Sequence, residues 1–124
     1  MRNEELKITE RSFSFALRII KLCKFLETQN RVSRTMANQL LRSGTSIGAN
    51  VEEAQAGQSK ADFIAKMSIA RKEARETYYW IRLLKKSEII TESQLSGILK
   101  EADVIIRILT AIVKTSQIRN LNNN

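Results

Sequence analysis

No proline interrupts this chain anywhere along its 124 residues, and glycine occurs only four times. Those two residues supply most of the punctuation that hairpins, sandwiches and long loops require. A chain so poor in them has few ways to turn, which leaves long uninterrupted elements. Helices satisfy their own backbone groups over such lengths, so the shortage points to an all-α protein. Apolar residues make up 43% of the sequence, enough for a real core, and the length bounds that core to a single domain, residues 1–124.

Apolar spacing divides the chain into four helices. Over roughly residues 5–28, Leu6, Phe13, Leu17 and Ile20 recur at helical intervals, as do Ile8, Phe15, Ile19, Leu22 and Leu26. Together the two sets cover more than half the circumference, whereas a core-facing helix needs an arc of only ~100°. The first helix is therefore expected to be covered on two sides, which points to self-association. "TQNRVS" breaks the pattern, and Ser33 can cap a second helix over residues 33–56. "SKAD" is a capping-box variant, with Ser59 as cap and Asp62 in the acidic position of a third helix, 59–86. Its apolar face is Phe63, Met67, Ala70, Ala74, Ile81 and Leu84. "TESQ", starting at Thr91, is a regular capping box for a fourth, 91–116, whose stripe runs from Leu95 to Val113. The polar remainder, 117–124, reads as a frayed tail. Connections of a few residues make sequential helices antiparallel, so the expected architecture is an antiparallel up-down-up-down four-helix bundle.

The segment "LRSGTSIGANVEEAQAG", residues 41 to 57, needs separate treatment, because its glycines and hydroxyls suggest a phosphate-cradling loop. Such a loop usually ends in Gly-Lys-Ser or Gly-Lys-Thr, and nothing here has that form. At helical spacing, Leu40, Gly44, Ile47, Gly48, Val51 and Ala54 fall on one face with Met36 and Leu41, so the glycines sit inside the apolar stripe. Two interior glycines cost roughly 1 kcal/mol each in helix propensity. Close approach of a neighbouring helix is the compensation that favours a packing role. The opposite face carries Gln39, Ser43, Ser46, Asn50 and Glu53, which fits either a solvated surface or a polar seam against another helix.

From Arg42 to Trp80 the residues carry a family resemblance. Arg42, Ser46-Ile47, Ala49-Asn50 and Glu53, followed by Asp62-Phe63, Ile69-Ala70, Glu73, Glu76 and Trp80, resemble the core pattern of the 23S rRNA-intervening-sequence proteins. That family has four-helix bundles of this length, and many members carry glycine where this chain has Ala54. The resemblance implies a small bacterial protein, often encoded in inserts within large-subunit rRNA genes. A related group, the accessory variability proteins of diversity-generating retroelements, forms ring-shaped pentamers that bind nucleic acid and a reverse transcriptase. By that resemblance the expected assembly is a homopentamer.

The 21 Lys and Arg against 13 Asp and Glu leave a formal charge of +8, an excess that favours polyanions. The cations are not scattered. Lys7, Arg11, Arg18 and Lys21 on the first helix, Arg71, Arg75 and Arg82 on the third, and Lys100, Arg107 and Lys114 on the fourth each make a ridge. Such ridges can follow a phosphate backbone without reading bases; they can equally be solvated faces neutralised by neighbours such as Asp103 or Glu76. Tyr78, Tyr79 and Trp80 can stack on bases, but Trp80 projects to the side of the main apolar face, so Tyr79 and Trp80 are better placed as interface residues. Glu73 and Glu76 share a face, where they can hold a divalent cation or pair with Arg42, which an antiparallel hairpin brings level with them.

Histidine is absent and Cys23 is the only cysteine. Ser-His-Asp and Cys-His nucleophile pairs, His-ligated metals and intrachain disulfides are thereby excluded. Cys23 falls in the apolar arc and reads as an inert core thiol. No catalytic residue, metal or cofactor is expected. The N-terminal stretch lacks the apolar run of a signal peptide and no segment approaches membrane-spanning length, so a cytoplasmic location without membrane contact is expected. The expected function is that of a non-enzymatic, self-assembling bundle that binds RNA or another nucleic acid through basic helix faces. The alternative is a scaffold that docks an acidic protein partner.

Overall fold

The computed structural model describes residues 3–122, with side chains from 7 to 122. The expected apolar contact of Leu6 and the last two tail residues, Asn123 and Asn124, lie outside that description. Four helices follow one another: α1 (Asn3–Glu27), α2 (Arg31–Gln55), α3 (Lys60–Lys86) and α4 (Glu92–Asn122). Each packs on the next, and α4 returns to α1, while the backbones of diagonal helices stay more than 8 Å apart between Cα atoms among the described residues. The result is an antiparallel up-down-up-down bundle. The α1–α4 seam, which joins the two ends of the chain, is the sparsest of the four.

The core holds one apolar stripe from each helix. Ile8, Phe15, Ile19 and Leu26 face Leu40, Ile47, Val51, Met67, Ile81, Leu84, Leu95, Ile105 and Leu109, all of them buried. The set of α1 that contains Phe13 and Leu17 does not join them. Phe13 and Leu17 are 57% and 51% exposed, so a single chain covers only one side of that helix.

Close approach explains the glycines of α2. A Cβ on Gly44 would lie 2.8 Å from Cγ2 and 2.9 Å from Cγ1 of Ile19, well inside contact distance. A Cβ on Gly48 would lie 3.4 Å from the backbone oxygen of Ser12, an ordinary contact. Gly44 is therefore the tighter of the two. The segment from 41 to 55 is helix throughout, and no phosphate loop exists there.

The helix ends correct three details of the sequence reading. Asn30, not Ser33, caps α2: its backbone is extended, and its side-chain oxygen accepts from the Ser33 amide at 2.9 Å. Ser33 lies inside the first turn, buried, with a hydroxyl that has no hydrogen-bond partner. An Asn one turn earlier wins because only the cap position has non-helical backbone, leaving its side chain free to turn back onto the amides. Secondly, only half of the reciprocal box forms at Thr91: its amide reaches Gln94 Oε1 at 3.4 Å, and its hydroxyl donates to the same oxygen instead of accepting from the Gln94 amide. Thirdly, α4 does not fray at 116 but continues to Asn122, since nothing breaks the helix after buried Ile112, Val113 and Ser116. Ser59 caps α3 as its sequence suggests, accepting from the Asp62 amide at 3.1 Å. Between α3 and α4, Glu88 adopts a left-handed φ of 60°.

Candidate nucleic-acid interface

Three close approaches orient the basic ridges. Arg11 of α1 donates through Nε to Glu101 of α4 at 2.8 Å. Arg18 lies over Gly97 of α4, where an added Cβ would meet its Nη2 at 3.2 Å. Lys85 at the end of α3 pairs with Glu92 at the start of α4 at 3.3 Å. Since residues three, four and seven apart share a helix face, Lys7, Arg11 and Arg18 edge the α1–α4 groove, with Lys21 beside them. Arg71, Arg75 and Arg82 fall on the flank of α3 that carries Lys85, again toward α4. Lys100, Arg107 and Lys114 run along the exposed back of α4 itself. The three ridges thus bracket one helix, a grouping that α1, α3 and α4 create only by folding.

Not every cation in the ridges is unpaired. The bond to Glu101, more than that carboxylate's charge, pushes the Arg11 guanidinium further above its ordinary pKa. Arg107 pairs with Asp103 one turn back at 3.0 Å. Arg82 stacks on the Tyr78 ring, 5.9 Å from its centroid, an attraction between cation and π-face. Lys7, Arg18, Lys21, Arg71, Arg75, Lys100 and Lys114 form no carboxylate pair among the described residues. The fixed Arg11–Glu101 pair was invisible in the sequence, because it joins residues whose separation of 90 positions becomes meaningful only in the bundle's register.

The opposite, α2-centred side has another character. Arg42 bonds Glu73 through Nη1 at 3.3 Å and Glu76 Oε2 through Nη2, and Trp80 donates to that same oxygen at 3.0 Å. Glu73 and Glu76 are thus engaged in pairing with Arg42. Among the described residues no group of three or more side chains is gathered as metal ligands. Trp80 is half-buried against the core edge and meets Tyr79 edge-on, centroids 5.2 Å apart, while the Tyr79 ring is half exposed. Flanking this cluster, Val32, Ile69 and Leu83 are exposed. Phe13 and Leu17 of α1 and Leu41 of α2 are exposed as well.

The polar face of α2 turns out divided. Ser43 is buried, its hydroxyl 2.9 Å from that of Thr77, which itself donates to the Glu73 carbonyl at 2.8 Å. Ser46 and Asn50 are half-buried and bond back to carbonyls of their own helix, while Gln39 and Glu53 face solvent. The seam is thus a single buried hydroxyl pair; Thr77 was missed because a threonine in a helix can always bond its own preceding turn. Burial, followed by the negative charge of Glu27, pushes the Cys23 thiol up to about 11, and its Sγ donates to the Ala37 carbonyl. No helix of the described residues is long and apolar enough to cross a membrane.

What the architecture and its charged edges define is a small, basic, antiparallel four-helix bundle. The chain belongs to the family of 23S rRNA-intervening sequence proteins, whose model matches residues 4–111. It is similar to the crystal structure of a protein of unknown function from the S23 ribosomal protein family of Bacteroides thetaiotaomicron VPI-5482. The two are 46% identical with a TM-score of 0.82, over 90% of this chain and 98% of the other. Among curated proteins none matches.

Proposed function

We propose that this chain is a non-enzymatic, cytoplasmic bundle that binds RNA through the cationic edges around α4 and acts as a homo-oligomer. The observation that carries the reading is the grouping of cationic ridges around one helix. Cations from three helices collect around α4, while exposed apolar side chains are found on the other three helices as well, among them Phe13 and Leu17 of α1, Val32 and Leu41 of α2, and Ile69 and Leu83 of α3. A ridge of Lys and Arg contacts phosphates in any sequence, so the affinity is electrostatic and little base discrimination is expected. The family's name, taken from inserts in 23S rRNA, favours RNA among the polyanions.

Exposed apolar side chains on three different helices suit a head-to-tail contact between copies, which closes into a ring when the rotation allows. A pentamer is the number that the resemblance to ring-forming variability proteins suggests. A ring repeats the basic edge in every subunit, and repeated edges raise affinity through multivalency.

Filter binding of RNA across a salt series, beside light scattering of the same protein, tests both halves. Replacing Arg71, Arg75 and Arg82 together by Ala is expected to weaken binding and make the log–log salt slope shallower by ~2–3. An unchanged slope in a folded triple variant removes the α3 ridge from the interface. Absence of RNA affinity at low salt, with capture of an acidic protein, replaces this function by that of a protein scaffold. A monomer at micromolar concentration refutes the assembly.

A further inference from the structure

Two cavities open along the α1–α4 seam, with Arg18 in the wall of both. The first, about 340 Å³, is bounded by charges, including Lys7, Arg11, Arg18 and Glu101. The second, about 350 Å³, is different: Leu22, Phe25, Ile90 and Ile98 give it an apolar lining, and Arg18, Lys21 and Gln94 complete it. The Phe25 ring, 42% exposed, is available on this groove and has no aromatic partner among the described residues. No carboxylate pairs with Arg18 or Lys21 among the described residues, so an apolar surface lies beside two uncompensated cations.

We propose that the second cavity is a pocket for one unpaired nucleotide, its base against Phe25, Leu22 and Ile98 and its phosphate on Arg18 and Lys21. This inference rests on the RNA-binding reading above and adds the strandedness of the ligand. A base has an apolar face and no charge, whereas its phosphate has charge and little apolar surface; the pocket separates the same two chemistries. Its volume sits at the low end of ligand pockets, ~300–1,000 Å³, which suits one nucleotide and not two stacked ones. The cations also continue beyond the pocket. From Lys21 to Lys7 the α1 ridge runs ~21 Å at 1.5 Å per residue, which matches a ligand with repeated phosphates and not a single anionic headgroup. Gly97 lets the Arg18 guanidinium lie close to α4, joining the pocket to the charged cavity next to it. A double helix keeps the faces of its bases stacked inside, so its phosphates reach the ridge and the pocket stays empty.

The test compares a 12-nucleotide unstructured RNA with a 12-base-pair RNA duplex, using the parent chain and Phe25→Leu. The parent is expected to bind the single strand more tightly than the duplex. Phe25→Leu removes the ring from an exposed position and keeps an apolar side chain, so the fold is expected to be retained. Its affinity for the single strand should fall about 5- to 150-fold, the loss seen when one base-stacking aromatic is removed, while duplex affinity stays constant. A 2-aminopurine placed in the single strand gives a second readout: its fluorescence should be quenched by the parent and much less by the variant. Equal loss on both ligands, or none on either, overturns the pocket while the parent's RNA binding leaves the broader function standing. A parent that binds neither RNA but holds a poly-glutamate peptide overturns both.

Discussion

Replacing Gly44 and Gly48 by alanine should move stability in opposite directions, although the two sites lie one turn apart on one helix. In each case the methyl removes a glycine from a helix interior, worth up to ~1 kcal/mol in favour of the variant. At Gly48 the added Cβ meets Ser12 at 3.4 Å, an ordinary contact, so that gain is unopposed. At Gly44 it arrives 2.8 Å from Ile19 Cγ2 and 2.9 Å from Cγ1. Carbon atoms settle at ~3.5–4.0 Å, so α1 and α2 must part by more than half an ångström, or Ile19 must leave its rotamer. Overpacking of that kind costs ~1–3 kcal/mol. Gly44→Ala is therefore expected to lose ~0–2 kcal/mol and Gly48→Ala to gain ~0.5–1 kcal/mol in urea melts with unchanged m-values. A cycle with Ile19→Ala sharpens the argument, since that change removes both of the opposing γ carbons. Alone it should cost ~2–5 kcal/mol, and with Gly44→Ala the pair should cost less than the sum by ~0.5–3 kcal/mol. Strict additivity, or a Gly44→Ala variant more stable than Gly48→Ala, would refute the close approach. Gly48→Leu should still cost ~1–3 kcal/mol, because a larger side chain must displace the Ser12 backbone.

Other helix features give expectations of opposite sign from neighbouring positions. Asn30→Ala should cost ~0.5–2 kcal/mol through loss of the cap, whereas Ser33→Ala should be neutral or stabilising, because its buried hydroxyl has no partner to lose; equal losses in thermal melts would return the cap to Ser33. Glu88→Gly should stabilise by ~1 kcal/mol, since glycine accepts the left-handed backbone without the steric cost of a side chain; a loss in the same assay would mean the Glu88 side chain contributes elsewhere. The Cys23 thiol should resist a thiol reagent at pH 8 until the protein unfolds. Because its folded pKa is raised to about 11 from the ordinary 9.0, the stability that rests on its neutral form is complete below pH 9 and is lost as pH rises through 11. Stability that is flat across that window, measured in Cys23→Ala as the difference from the parent, would refute it.

Periodicity carried the sequence reading where one helix decides the outcome alone. The stripe Phe63, Met67, Ala70, Ala74, Ile81 and Leu84, the Ser59 cap and the Arg107–Asp103 pair all follow from spacing within an element. The Arg42 contact with Glu73 and Glu76 was legible one step further, because a short turn fixes the register of α2 on α3. Beyond one hairpin the signal ended. Arg11 meeting Glu101, and Arg18 settling over Gly97, require the first and last helices to be in register, which no local pattern states. The choice between Asn30 and Ser33 also escaped it, since both residue types cap well and the backbone angle at the cap decides. Likewise Phe25, which belongs to neither apolar set of the first helix, stands out only because the thin α1–α4 seam leaves its ring 42% exposed.

That thin seam also bears on how the molecule forms and comes apart. Three of the four lateral contacts join helices adjacent in sequence, so most native contacts are local and folding should be fast, as in other proteins of low contact order. The α1–α4 contact alone must wait for the two ends of the chain to meet across the whole domain, and it has the least packing to hold it afterwards. It should be the first seam to open in native-state fluctuations, with amides of α1 and α4 exchanging through a partial opening while the α2–α3 hairpin exchanges only through global unfolding. The wall of the bundle that lies beside the cations is thus also the wall most easily unlatched.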